Sequence, residues 1–154
     1  EKASSGELDH WADTPRGRLA LIILLDQFRR NIFRRSKDAY IMDHQVLKLT
    51  IKGMELGHDR QLEPIERAFF YMPMQHSESL KVQDFSVRTF TTLAETVKPT
   101  LRATFGTFSQ FAELHRDIVA QFNRFPHRNE ALGRKNTPEE EAYLDESPPD
   151  FGQT

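Results

Sequence analysis

The sequence predicts an all-α fold in which antiparallel helix pairs stack side by side. Apolar residues recur at spacings of three and four over nearly the whole chain, and no segment shows the alternation of a half-buried strand. Proline stands where helices are expected to begin, and the linkers between helical stretches are short. A single α-helical domain over residues 1–154 accounts for a chain of this length.

The first predicted helix begins after Thr14, an N-cap that is followed by Pro15. It continues through the apolar run 19–25, and the helix-forming residues 26–30 favour a buried helix over a central strand. The next helix is expected over residues 38–56, with Gly57 as the residue that ends it.

Prolines and a serine delimit the middle of the chain. Pro64 opens a short helix that Pro73 is expected to end, because a proline ring clashes with the preceding turn. Ser77 then caps a helix that runs to Pro99.

The clearest amphipathic stripe lies in the last third of the chain, in a helix that Pro126 is expected to close. The stripe consists of Phe108, Phe111, His115, Ile118, Phe122 and Phe125. Thr137 and Glu140 then form a capping box for a last short helix. One core is predicted, and its members are expected to include Leu21, Ile22, Leu25, Phe69, Phe90, Leu93, Phe111, Ile118 and Phe122.

Composition argues against several kinds of site and partner. The net charge is −2 with charges of both signs, so no overall field attracts nucleic acid or anionic lipid. Without cysteine there is no disulfide, thiolate nucleophile or cysteine-based zinc site. The run 19–25 is too short to cross a bilayer, and the residues near Glu1 do not resemble a signal peptide. We therefore expect a cytoplasmic protein with no nucleic-acid partner, no membrane partner and no cofactor.

Two polar segments stand out because each adjoins a helix whose apolar face must be buried. Residues 26–31 read DQFRRN, and residues 124–129 read RFPHRN. Unpaired polar groups are costly in an interior, so the two segments are expected to meet and to satisfy each other. Their arginines outnumber their acids, which predicts an anion-binding pocket. The candidate ligand-binding residues are Asp26, Gln27, Arg30, Asn31, Glu66, Arg67, His76, Arg124, His127, Arg128 and Asn129.

Each motif also has a purely structural explanation. Asp26 and Arg30 lie one turn apart and are expected to form a partly buried ion pair. His115 lies on the apolar stripe, where a neutral core histidine is the ordinary interpretation. In the basic run 29–37, Arg34 and Arg35 are typical of a solvated helix end. Histidine pairs at metal-binding helical spacing are absent from the sequence, so no metal centre is predicted.

Three blocks in chain order resemble the signatures of a bacterial family catalogued as domain of unknown function 924. The blocks are LLDQFRRNIFR at 24–34, ERAFFYMP at 66–73 with HSE at 76–78, and HRDI at 115–118 through RFPHRN at 124–129 with LG at 132–133. The resemblance implies a tetratricopeptide-like α-α superhelix and no established activity. The family usually has proline at the position of Arg29 and an aromatic-rich helical segment upstream of residues 6–9, and this chain is expected to lack that segment.

Two functions from different classes follow from these patterns. The leading hypothesis is a helical binding module whose pocket of arginine, histidine and asparagine holds a small anionic ligand or a carboxylate-bearing peptide. The alternative is a hydrolase-type enzyme with His76 or His127 as general base and arginines that stabilise an oxyanion. A third interpretation makes the polar motifs structural, as contacts that lock helix pairs together.

Overall fold

The computed structural model describes residues 1–149 and 151, and these contain helices, turns and irregular segments but no strand. The all-α prediction is confirmed. The domain predicted over 1–154 also includes Asp150 and residues 152–154, which lie outside the described residues.

Helices follow one another along the chain with short connections. The α-helices are α1 (Pro15–Ile23), α2 (Arg29–Ile32), α3 (Asp43–Glu55), α4 (Pro64–Gln75), α5 (Leu80–Thr96), α6 (Arg102–Phe122) and α7 (Pro138–Asp145). A π-helical turn, Leu24–Phe28, joins α1 to α2 without a break in helical conformation. Single 3-10 turns occupy Asp9–Asp13, Lys37–Ala39, Asp59–Gln61, Pro99–Leu101 and Pro126–Arg128.

The predicted start of α1 is confirmed at atomic detail. Thr14 Oγ1 accepts a hydrogen bond from the backbone N–H of Gly17 at 3.2 Å, and Pro15 occupies the first helical position, where its missing N–H costs nothing. Leu21 and Ile22 are fully buried. The apolar run is therefore a buried helix, as predicted, and not a strand.

Helices α5 and α6 pack as an antiparallel pair. The hydroxyls of Thr91 and Ser109 lie 2.9 Å apart, and Arg116 Nε donates to Asp84 Oδ1 at 3.1 Å. Later residues of α5 thus face earlier residues of α6, which is the antiparallel register expected from a short connection. The tetratricopeptide-like arrangement of the whole chain stays a prediction.

The buried apolar residues form two clusters, so the prediction of one core is wrong. The first cluster lies among α1, α3, α4, α5 and the start of α6, and its members include Ile22, Leu25, Val46, Phe70, Tyr71, Met74, Phe90 and Leu93, with Phe69 packed against it. The second cluster consists of Ile118, Val119 and Phe125, with Phe122, Tyr143 and Phe151 among the residues around it. Phe111, predicted in the core, is 46% exposed.

Helix α3 is shorter than the predicted span of 38–56. Ser36 Oγ accepts a hydrogen bond from the N–H of Asp38 and starts the turn Lys37–Ala39, so α3 begins only at Asp43. At its other end Gly57 has φ +70°, a conformation that glycine adopts without strain, and its predicted role in ending the helix is confirmed.

Pro64 opens α4 as predicted, but the expected boundaries at Pro73 and Ser77 are wrong. Pro73 lies inside α4, which continues to Gln75, because proline removes only its own N–H from the helix and leaves the hydrogen bonds of the residues after it intact. Ser77 does not cap α5. Gln83 Nε2 instead donates to the carbonyls of Gln75 at 2.7 Å and Ser77 at 2.6 Å, and holds the α4–α5 loop against α5.

Helix α6 ends before the proline that was expected to close it. Asn123 adopts a left-handed conformation with φ +56° and caps α6 after Phe122. Phe125 is therefore outside the helix, yet its side chain is fully buried in the second cluster. The chain reverses here and directs the turn Pro126–Arg128 towards the end of α1.

Candidate functional site

Asp43, the first residue of α3, joins the two polar segments. Arg30 Nη2 donates to Asp43 Oδ1 at 2.7 Å, and Arg128 Nη1 donates to Asp43 Oδ2 at 3.2 Å. The segments 26–31 and 124–129 therefore meet, as the sequence predicts. They meet through a carboxylate from a third segment, which the sequence did not single out.

Asp26, presented by the π-helical turn, is the acidic centre of the site and is 2% exposed. Its Oδ1 accepts from Arg30 Nε at 3.1 Å and lies 2.7 Å from His76 Nδ1, while its Oδ2 accepts from Gln27 Nε2 at 2.6 Å. Burial alone would raise the pKa of Asp26, but His76 and Arg30 outweigh it and hold the pKa well below its usual range. Asp26 is therefore ionised, and the predicted Asp26–Arg30 pair is confirmed.

Two histidines beside this centre have pKa values below the usual range for histidine. Burial lowers the pKa of His76, and it lowers the pKa of His115 to about 3. The Nδ1 of His115 lies 2.6 Å from the carbonyl of Phe111, so it carries the proton and donates. The two rings lie 6.1 Å apart, centroid to centroid. The permanent positive charges of the site are those of its arginines, which stay protonated at any physiological pH.

Arg128 is the most unusual group of the site because its guanidinium is 5% exposed and only partly satisfied. It lies between the rings of Tyr40 and Phe125, at 4.8 and 4.3 Å from their centroids. Burial, with repulsion from Arg30, lowers its pKa to about 10, which leaves it charged at neutral pH. Its Nε is buried and has no hydrogen-bond acceptor among the described residues. A buried charged donor without an acceptor is costly to the folded state.

Two cavities adjoin Arg128. The arginine cavity has a volume of about 180 Å³ and is lined by Gln27, Arg30, Asn31, Arg34, His76, His115, His127, Arg128 and Phe151. Its described lining contains three arginines and three histidines but no carboxylate. The wide cavity has a volume of about 530 Å³ and shares His76 and Arg128 with the first; its other lining residues include Tyr40, Ile41, Asp43, Leu47 and Leu132.

Phe151 forms part of the wall of the arginine cavity. Its ring stacks on that of His115 with centroids 3.8 Å apart and an interplanar angle of 25°, and it meets His127 edge-on at 5.6 Å. Residues at the end of the described chain therefore reach the middle of the site.

Arg124 and Asn129, two of the predicted ligand-binding residues, are used elsewhere. Arg124 binds the buried carboxylate of Glu140 through two hydrogen bonds, from Nε at 2.5 Å and from Nη2 at 2.6 Å. Asn129 Nδ2 donates to Asn136 at 2.8 Å and to Glu140 at 3.3 Å. Both side chains hold α7 in place and line neither cavity described above, so their predicted place in the pocket is wrong.

Glu66 and Arg67 also lie outside both cavities, which corrects their predicted convergence with the arginines. The Glu66 carboxylate accepts from the N–H of Glu63 at 2.8 Å as part of a capping box. Arg67 Nε donates to the hydroxyl of Tyr71 at 3.2 Å, and that hydroxyl donates to Asp59 at 2.6 Å. These contacts belong to the start of α4 and the preceding turn, whereas His76 follows the other end of the helix.

A second ion pair fixes the loop that carries His76. Arg134 donates from Nη1 to Glu78 Oε2 at 2.8 Å, and the N–H of Phe125 donates to Glu78 Oε1 at 2.8 Å. Glu78 belongs to the sequence block HSE at 76–78, whereas no sequence pattern indicated a role for Arg134 or Tyr40. Arg134 contacts Glu78 and Phe125, and Tyr40 contacts Arg30 and Arg128; each of these partners is at least nine residues away along the chain.

The described residues contain no group of three or more histidine, aspartate or glutamate side chains placed to hold a metal ion. Within the same part of the chain, every helix is too short or too polar to cross a membrane.

Comparison with known proteins places the chain in a family. Residues 1–148 match the model of the family described as bacterial protein of unknown function (DUF924). The chain belongs to this family. The resemblance found in the three sequence blocks is thereby confirmed, and the family description names no activity.

A solved structure of a protein of unknown function, ATU0120 from Agrobacterium tumefaciens, is similar to this chain throughout. The two are 37% identical with a TM-score of 0.80, and the match covers 94% of this chain and 76% of the other. No curated protein matches the chain. The function of this DUF924 member must therefore be inferred from the geometry of its own site.

Proposed function

We propose that this protein is a binding module that holds a small anionic ligand in the arginine cavity. The observation that supports this best is Arg128, a buried arginine that lines a cavity whose described lining contains no carboxylate, and whose Nε has no acceptor among the described residues. Burying an unsatisfied charged donor is costly, and an anion removes that cost by accepting a charge-assisted hydrogen bond.

The charges around the cavity support an anion rather than a cation. Asp26 and Asp43 are already engaged by Arg30, Arg128 and His76. Arg34 lies at the cavity and donates to the neutral side chain of Asn31 at 3.0 Å, and no described carboxylate lies within ion-pair distance of it. Among the described residues one cationic charge is thus left over at the cavity, and bidentate guanidinium groups suit a carboxylate or a phosphate.

The size of the cavity limits what can enter. A volume of about 180 Å³ holds a small anion such as phosphate, sulfate or acetate, or the terminal carboxylate of a peptide, but not a folded partner. Gln27 and Asn31 add amide groups to the same wall. We therefore expect recognition of one anionic group, with the rest of any larger ligand outside the arginine cavity.

The test is anion-dependent thermal stabilisation, measured as the increase in Tm with sodium phosphate or sodium acetate at constant ionic strength. A ligand that binds only the folded state raises stability with its concentration, so the wild type should show a graded shift. Arg128→Ala should lose most of that shift, and Arg34→Gln, at an exposed position, should lose part of it. Arg102→Ala, which changes an exposed arginine outside the site, should retain it.

Equal shifts in all four proteins would overturn the proposal. Because Arg128 is buried and its replacement perturbs packing, Arg34→Gln keeps the test decisive if Arg128→Ala does not fold. In that case an Arg34→Gln shift equal to the wild-type shift counts against the arginine cavity.

The hydrolase alternative has one observation in its favour and no support from the comparisons. Asp26 contacts His76 Nδ1 at 2.7 Å, which would leave Nε2 of His76 as a proton acceptor. Hydrolysis of p-nitrophenyl acetate that disappears in both His76→Ala and Asp26→Asn would favour this alternative. Equal background rates in the wild type and both variants would exclude it for this ester.

A further inference from the structure

The wide cavity beside the site combines apolar side chains with the same arginine. It is lined by Ile41, Leu47 and Leu132, and it shares Arg128 with the arginine cavity. Ile41 is 64% exposed and Leu132 is 37% exposed, although they come from segments far apart in sequence. Apolar side chains that gather at the mouth of a cavity are typical of a surface that an apolar ligand covers.

The carboxylates of the wide cavity do not oppose an anion, because their own partners hold them. Both oxygens of Asp43 accept from arginines, and both oxygens of Glu78 accept from Arg134 or the N–H of Phe125. Lys37 also lines this cavity, and no described carboxylate lies within ion-pair distance of its Nζ. Lys37 is therefore a cationic donor at this cavity that no described carboxylate engages.

We propose that the ligand is an amphiphilic carboxylate whose acid group binds Arg128 and whose aliphatic body lies in the wide cavity against Ile41, Leu47 and Leu132. This inference rests on the proposed function and adds the chemical class of the ligand. A volume of about 530 Å³ falls within the range of roughly 300 to 1,000 Å³ that is usual for small-molecule sites. The arginine cavity alone has no comparable room for such a body.

Chain length gives a quantitative test. Each methylene group buried from water should tighten binding about fourfold, until the cavity is filled. Titration calorimetry of the whole chain with acetate, butanoate, hexanoate and octanoate should therefore give a Kd that falls by roughly an order of magnitude or more with each pair of methylenes. Inorganic phosphate serves as an anion with no apolar body.

Variants of the apolar wall, with a matched variant elsewhere on the surface, test whether the aliphatic part of the ligand lies in the wide cavity. Ile41→Ser should weaken octanoate binding about tenfold and leave acetate binding unchanged, because it alters only the apolar wall. Leu132→Ser should act in the same direction. Ile65→Ser changes an exposed isoleucine that lines neither cavity, so it should change neither ligand's Kd.

The possible failures are distinguishable. If the binding of acetate and phosphate depends on Arg128 but Kd is independent of chain length, the proposal of an amphiphilic ligand is overturned. The proposal of an anion site is then retained. If octanoate binds more tightly than acetate but Ile41→Ser and Ile65→Ser behave alike, the body lies elsewhere and the inference is wrong. If none of these anions binds, this inference and the proposed function both fail.

Discussion

At the scale of single residues, the site is a chain of buried charges in which acid and base alternate. His76, Asp26, Arg30, Asp43 and Arg128 follow one another through direct contacts. Removing one partner from such a network leaves another charge buried and unpaired, which costs about 3 to 5 kcal/mol. The arrangement therefore fixes the position of Arg128 before any ligand arrives.

The neutral state of His115 predicts how stability depends on pH. Its pKa is about 3 in the folded protein and near 6.5 when unfolded, so the unfolded chain binds more protons between these values. Stability should therefore decrease as pH falls from 6.5 towards 3, by up to about 1.4 kcal/mol per pH unit from this residue. His115→Leu should make that decrease shallower, as measured by urea denaturation between pH 4 and 7.

The exposed His10 provides the control, because His10→Leu should leave the pH dependence of the free energy of unfolding as it is in the wild type. Identical pH profiles for the wild type and His115→Leu would show that His115 is not held neutral by the fold.

The sequence predicted those residue contacts that depend on local spacing. Asp26 and Arg30 lie one helical turn apart, and their pairing follows from helix geometry alone. Arg124 was misplaced because its partner, Glu140, lies beyond a chain reversal that the local pattern does not encode. Asp43 was missed for the same reason, since its two arginines come from segments 13 and 85 residues away.

At the scale of secondary structure, two of the three predicted N-caps are confirmed, and Ser77 is the exception. Thr14 and Thr137 both accept the hydrogen bonds that their positions predict, because an N-cap acts within one turn. The stripe on α6 correctly indicated a helix but not which of its residues are buried. Burial depends on which elements pack against α6, and the face that carries Phe111 is left 46% exposed.

Two phenylalanines, one on α5 and one on α6, test the difference between a buried and an exposed position. Phe90, on α5, is 1% exposed in the first cluster, and Phe90→Ala should lower the free energy of unfolding by about 3 to 5 kcal/mol. Phe111→Ala removes the same atoms from an exposed position and should cost less than about 1 kcal/mol. Chemical denaturation of the two variants measures both values, and similar losses would contradict the observed burial.

At the scale of the whole molecule, the first two arginines of the most basic run of the sequence are engaged in contacts within the chain. Arg29 donates to the carbonyl of Asp38 at 3.0 Å and to Ser4 at 3.0 Å, and its guanidinium lies 4.8 Å from the ring centroid of Phe33. Arg30 is buried between carboxylates. The exposed cations of the run are therefore Arg34, Arg35 and Lys37, a small group on a chain whose net charge is −2.

We therefore predict that the protein does not retain RNA or DNA at about 150 mM salt, a condition that weakens nonspecific phosphate contacts. Fluorescence anisotropy with labelled single-stranded and double-stranded oligonucleotides measures this. Salt-sensitive binding that disappears when Arg34 and Arg35 are both changed to glutamine would contradict the prediction.

The π-helical turn Leu24–Phe28 has a consequence for how this chain tolerates insertions and deletions. A π turn accommodates one more residue than an α turn, so the helix beyond it is rotated by about 100° relative to an uninterrupted helix. Beyond the turn Arg30 points inward, while Phe28 and Ile32 are 53% and 67% exposed. Deleting one residue here would regularise the backbone and rotate Arg30 away from Asp43. The irregular backbone therefore directs Arg30 towards Asp43, and a regular helix at this place would lose that contact.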